Sequence, residues 1–122
     1  MINIRNTKEV RMLIAKDGCK IKEIFHPRNS PLNAMSLAEA ILDPGKSTKY
    51  YYHKKSDEIY FILQGTGIVE IDGEKRKVKK NDCILIKAKS KHRIKNFGKV
   101  QLRILCFESP PYSDEDTILL PT

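Results

Sequence analysis

The chain has 122 residues, enough for one domain with a modest core. It is 40% hydrophobic and 31% charged, which argues against wholesale disorder, and no apolar run approaches the roughly 20 residues that span a bilayer. The formal charge of +8 comes from 23 basic and 15 acidic residues. Most of the excess is lysine alternating with other residue types, as at Lys75, Lys77 and Lys79. Solvated strand faces produce that pattern, and the absence of arginine interleaved with aromatics makes a nucleic-acid surface an unfavoured reading.

The N-terminal stretch MINIRNTKEV lacks the apolar core of a signal peptide, so a cytoplasmic protein is expected. Residues 7–15 offer at most a short helix. Cys19, Cys83 and Cys106 are widely spaced and form no C-x-x-C pair, so buried free thiols are expected. Residues 35–42 (MSLAEAIL) read as a strand ending at the turn Asp43-Pro44-Gly45. Residues 48–53 (TKYYYH) and 58–63 (EIYFIL) are rich in β-branched and aromatic side chains, and Gly65 and Gly67 end that run. Segments 68–71 and 74–79 flank Asp72-Gly73, a type I′ hairpin signal because both central residues of that turn need positive φ. Asn81-Asp82 marks another turn. Strands at 83–87, 91–95 and 100–107 complete an all-β chain with no helix between strands, the pattern of a sandwich or barrel. The tail from Ser109 to Thr122 carries three prolines and the acidic run Asp114, Glu115, Asp116, and is expected to form an irregular strap or line an edge.

Only three histidines occur: His26, His53 and His92. Alternation places Tyr51 and His53 on one strand face, Glu58 with Tyr60, Ile62 and Gln64 on another, and His92 with Ile94 and Asn96 on a third. If those faces turn into one closed β structure, two imidazoles and a carboxylate converge. Such a set holds iron and related divalent metals, since neutral imidazole and ionised carboxylate both coordinate near neutral pH. His26, followed by Pro27, reads as a loop or surface histidine. Tyr60 and Gln64 are candidates to line the cavity, and Glu39 is a candidate to face inward.

The stretch Pro44-Gly45, Tyr51-x-His53, four residues, Glu58, six residues and Gly65 resembles the first motif of the cupin superfamily. Asn81-Asp82 through His92, three residues and Asn96 resembles the second. The flanks Ser36-Leu37-Ala38-Glu39-Ala40 and Ser109 to Thr117 resemble small cupins of the mannose-6-phosphate isomerase-like group. That resemblance implies a cupin jelly roll, a double-stranded β-helix, as a single domain with a barrel core at about 35–108 and a C-terminal strap at 109–122. It also implies a homodimer and one divalent transition metal (Fe, Mn, Ni or Zn) inside the barrel. His53, Glu58 and His92 match three ligand positions, and Tyr51 stands at the fourth, where the family usually has histidine.

Three readings of Tyr51 stay open: a phenolate or weak ligand, a group facing the substrate, or the mark of a site that has lost its metal. Where the second motif usually has glycine, proline and glycine, this chain has Asn81, Lys87 and Lys89. The turn before His92 is therefore expected to differ in shape, with Lys87 and Lys89 near the cavity mouth, where ammonium groups would attract an anionic small molecule. The function expected is a metal-dependent enzyme, isomerase-like or oxygenase-like, on a small anionic or sugar-like ligand. The alternative is a non-catalytic module that binds or senses a small ligand without metal. Isomerisation needs a base besides Glu58, and the sequence offers no obvious second carboxylate.

Overall fold

The computed structural model describes residues 2–121. After one 3-10 turn at Thr7–Glu9 come eleven strands among the described residues: β1 (Met12–Ile14), β2 (Lys20–Phe25), β3 (Ser36–Leu42), β4 (Tyr51–His53), β5 (Asp57–Gln64), β6 (Thr66–Ile71), β7 (Glu74–Lys79), β8 (Cys83–Ile86), β9 (His92–Asn96), β10 (Leu102–Ser109) and β11 (Thr117–Leu119). They form two antiparallel sheets packed face to face as a jelly roll. The larger has the order β1-β2-β3-β10-β5-β8 and the smaller β11-β4-β9-β6-β7. No helix among the described residues is long and apolar enough to cross a membrane.

Alternation drives this architecture. Along β10 every second residue from Leu102 to Glu108 is buried, and along β5 the same holds for Glu58, Tyr60 and Ile62. The inward rows build one core that includes Leu42, Ile62, Ile86, Ile94, Leu102 and Ile104. The hairpin at Asp72-Gly73 forms with both residues at positive φ, 49° and 86°, between the pair Ile71 and Glu74. Gly65, also at positive φ, has a second reason to be glycine: a Cβ there would sit 2.8 Å from the Gln101 carbonyl, so a side chain would push β10 away.

Several expectations need correction. Residues 7–15 are not a helix beyond the 3-10 turn, because Met12–Ile14 pairs with Lys20–Lys22 across the Ala15–Gly18 turn. Cys19 and Cys106 are buried, but Cys83 is exposed on the edge strand β8. His26 lies in a loop but is buried rather than on the surface: Nε2 donates to the Tyr112 carbonyl at 2.7 Å and Nδ1 accepts from the Arg28 N–H. Glu39 is buried on the opposite face of its strand from Ala38 and Ala40, which line the barrel cavity, and its Oε2 accepts from Arg103 at 2.7 Å. The tail does line an edge, through β11 pairing with β4.

Candidate metal centre

Strands from both sheets bring the site together. Tyr51 and His53 lie on β4, Glu58 and Tyr60 on β5, and His92 begins β9, paired directly to Tyr51. His53, Glu58 and His92 are buried, and one donor atom from each lies within 4.8 Å of the others. His53 Nε2 is 3.3 Å from Glu58 Oε1, and His92 Nε2 is 3.6 Å from the same oxygen.

The far side of each ring fixes its tautomer. His92 Nδ1 lies 2.9 Å from the Ser90 carbonyl, which only accepts, so Nδ1 carries hydrogen. His53 Nδ1 is 3.1 Å from Thr117 Oγ1, and that hydroxyl donates its own hydrogen to the Ser113 carbonyl at 2.9 Å. Thr117 must therefore accept from His53. Both rings thus turn an Nε2 into the cluster, the arrangement by which metal-binding histidines are oriented. His92 Nε2 is buried without a hydrogen-bond partner. In the neutral ring its lone pair faces a carboxylate oxygen, and a cation between the two removes that conflict. The donor set fits a divalent metal.

Sequence reasoning missed Glu108. It faces Glu58 across β5 and β10 in direct register, is buried, and places Oε1 3.1 Å from His53 Nε2. The signal was the inward row Leu102, Ile104, Cys106, which ends on this carboxylate. Burial works against a charged His53, but hydrogen bonds to Glu108 and Glu58 outweigh it and raise the ring to about 10. Burial raises the carboxyl of Glu58, and His53 and His92 more than reverse that, leaving it depressed. Burial and the neighbouring Glu58 charge hold Glu108 above the ordinary carboxylate range.

Glu58 and Glu108 line a cavity of about 550 Å³ walled by apolar side chains such as Ile21, Leu42, Ile94 and Ile104, and His53 and His92 lie behind that lining. Tyr51 and Tyr60 line it, and their hydroxyls are 3.0 Å apart. The Tyr51 ring packs 4.3 Å from the His92 ring, centroid to centroid. Burial, followed by the nearby Tyr60, raises the Tyr51 phenol well above its ordinary 10.0, so it is neutral. Asp17 reaches the cavity from the turn after β1 as a second carboxyl the sequence did not reveal, and burial raises it.

Two groups of expected cavity residues lie elsewhere. A β-bulge where Arg103 and Ile104 pair with Gln64 and Ile62 breaks the alternation, and the Gln64 amide donates to the Gln101 carbonyl instead of entering the cavity. Lys87 is 3.3 Å from Asp57, and the Lys89 backbone N–H donates to the His53 carbonyl at 2.7 Å; neither residue lines the cavity. Asn81 and Lys89 take φ of 76° and 72°, so these turns keep the left-handed backbone that glycine favours. The cations that line the cavity are Lys16, bound to the Asp114 and Thr117 carbonyls, and Arg28, paired with Glu23.

A sequence model of the cupin domain matches residues 38–108. The chain is 46% identical over 112 residues to the uncharacterized protein MJ1618 of Methanocaldococcus jannaschii, covering 92% of this chain and 90% of that one. It is 25% identical over 95 residues to the tetracenomycin polyketide synthase protein TcmJ of Streptomyces glaucescens, covering 78% and 64%. Among solved structures, the polyketide cyclase RemF of Streptomyces resistomycificus matches with a TM-score of 0.84 at 15% identity, over all of this chain and 87% of that one. The structural likeness shows a shared fold.

Proposed function

The chain belongs to the cupin family, and we propose that it acts there as a single-domain, metal-dependent enzyme on a small oxygen-bearing molecule held in the barrel. The observation that carries this reading is the bare, buried Nε2 of His92, which faces Glu58, a carboxylate that itself lines an open cavity. His53, Glu58 and His92 hold the ion. A divalent ion in such a site polarises a carbonyl or hydroxyl oxygen of the substrate. The paired hydroxyls of Tyr51 and Tyr60 stand on the same wall to orient the substrate, and the apolar walls keep water from the reacting carbon. Asp17, a carboxyl outside the donor cluster, takes or returns the proton that an isomerisation moves beside a carbonyl. This answers the want of a second carboxylate, and it favours isomerase-like proton transfer over oxygen-dependent cleavage.

The charge lining the cavity refines the ligand class. Asp17, Glu23, Glu58, Glu108 and Asp114 contribute carboxylates, whereas both lining cations are already engaged. A neutral, sugar-like hydroxy-carbonyl suits that lining better than an anion. The outer face of the larger sheet supports a homodimer: Leu85, Ile59, Phe107 and Leu37 form one cross-strand apolar row, with Leu85 60% and Ile59 44% exposed. The three free cysteines suit a reducing cytoplasm.

Elemental analysis of untagged protein prepared without chelator tests the reading, beside a His53→Ala/His92→Ala variant. The expected result is iron, manganese, nickel or zinc near one per chain, lost in the variant. A wild type that stays metal-free after reconstitution overturns it. One observation favours a second reading in that case: His53 bridging two carboxyl groups makes a cluster that two protons neutralise, one on the imidazole and one on a carboxyl, suited to a metal-free binding module.

A further inference from the structure

Resting on the metal reading above, we propose that Glu108 is a fourth protein ligand of the centre and supplies the donor that Tyr51 does not. Three observations carry it. First, Glu58 and Glu108 are directly opposed across β5 and β10, and both point inward. Two carboxylates opposed in a buried row repel one another unless positive charge lies between them. Second, Glu108 Oε2 is buried with no hydrogen-bond partner, as is His92 Nε2. The cluster thus holds two unmet acceptor atoms, one on Glu108 and one on an assigned ligand. Third, the Tyr51 hydroxyl is engaged with that of Tyr60 at 3.0 Å, which leaves the usual fourth position without a committed donor.

Neighbouring spacings along the chain of donors match those of adjacent donors on one ion. Donors about 2.1 Å from one metal lie about 3.0 Å apart at right angles and about 3.4 Å apart at tetrahedral angles. The distances here run 3.1 Å from Glu108 to His53, 3.3 Å from His53 to Glu58 and 3.6 Å from Glu58 to His92. Glu108 joins the cluster through His53 and is the end of a chain of four donors. Two carboxylates and two neutral imidazoles also balance a divalent charge, an advantage where burial makes uncompensated charge costly.

The test is cobalt(II) binding to the full chain, read by chelator competition for affinity and by visible absorption for the donor set. Glu108→Gln keeps the side-chain shape, Glu108→Ala opens a space, and Tyr51→Phe removes the phenol oxygen. The expected result is a loss of affinity beyond the about 10–100-fold typical of an outer-shell residue for both Glu108 variants, with a changed spectrum. Acetate should restore affinity and spectrum in Glu108→Ala, and Tyr51→Phe should leave both unchanged. Glu108 variants that keep the wild-type spectrum, whatever their affinity, overturn the assignment while the metal reading stands. A spectrum altered by Tyr51→Phe but not by Glu108→Gln overturns it in favour of the phenol. A wild-type chain that binds no cobalt removes the metal reading itself.

Discussion

Thr117→Val isolates what the C-terminal strap does for the site. The Thr117 hydroxyl accepts from His53 Nδ1 at 3.1 Å and donates to the Ser113 carbonyl at 2.9 Å, while its backbone pairs with His53 across β11 and β4. Valine preserves shape and backbone but leaves a buried imidazole N–H without an acceptor. That omission costs about 1–3 kcal/mol of stability. It also frees His53 to change tautomer, for which an outer-shell loss of about 10–100-fold in metal affinity is expected, or about 1.4–2.7 kcal/mol. Urea unfolding of the metal-free protein reads the first quantity as a midpoint shift at constant slope, and chelator competition reads the second. Thr117→Ser keeps the hydroxyl and should restore affinity. A Thr117→Val protein that loses stability yet binds metal like wild type would show that the strap only ties the chain down, and the tautomer argument would be wrong.

The other predictions are briefer. His53, raised from 6.5 to about 10 in the metal-free protein, contributes stability that is present below pH 6.5 and is lost as pH rises through about 10; Glu108, raised from 4.5 to about 8, loses its contribution earlier, between those two values. The melting temperature of the metal-free protein should therefore fall on going from pH 7 to 10, while stabilisation by added metal grows because metal displaces those protons; a flat metal-free profile would contradict this. Lys89→Gly relieves a side chain held at φ 72° and keeps the N–H bond to His53, so stability should rise by up to about 1 kcal/mol in urea unfolding. Leu85→Glu puts a charge into the apolar row of the larger sheet, and light scattering should find a dimer for wild type and a monomer for the variant with its metal content intact.

Strands whose two faces differ in burial were legible. Tyr60 and Ile62 on β5 and Leu102 to Cys106 on β10 alternate plainly, and Asp72-Gly73 fixes its hairpin through φ alone. β1 was not legible, because all three of its residues are exposed and it exists only through pairing with β2. The same limit hid the site residues that depend on tertiary register. Gln64 follows the inward row in sequence, yet one bulge carries it away, and no local signal marks a bulge beside Leu63. Asp17 sits in a turn, and only the fold shows that this turn reaches the cavity.

Tyr51 and Glu108 show why such a site is only half readable. The departure at Tyr51 is visible in a short motif, because the spacing to His53 and Glu58 is local. Its compensation lies 57 positions further on, in a strand whose Glu108 touches His53 only because β10 pairs with β5 in that register. Exchanging a neutral nitrogen donor for a carboxylate also changes the chemistry. A centre with two carboxylates carries one more negative charge and one more hard oxygen, which favours manganese or iron(II) relative to a nitrogen-rich site. It also holds the ion less acidic toward a bound oxygen, since the ligands already offset its charge. On that ground the proton in an isomerisation falls to a group of the chain itself, and Asp17 is a cavity carboxyl outside the donor set that is free of the arginine pairing that engages Glu23.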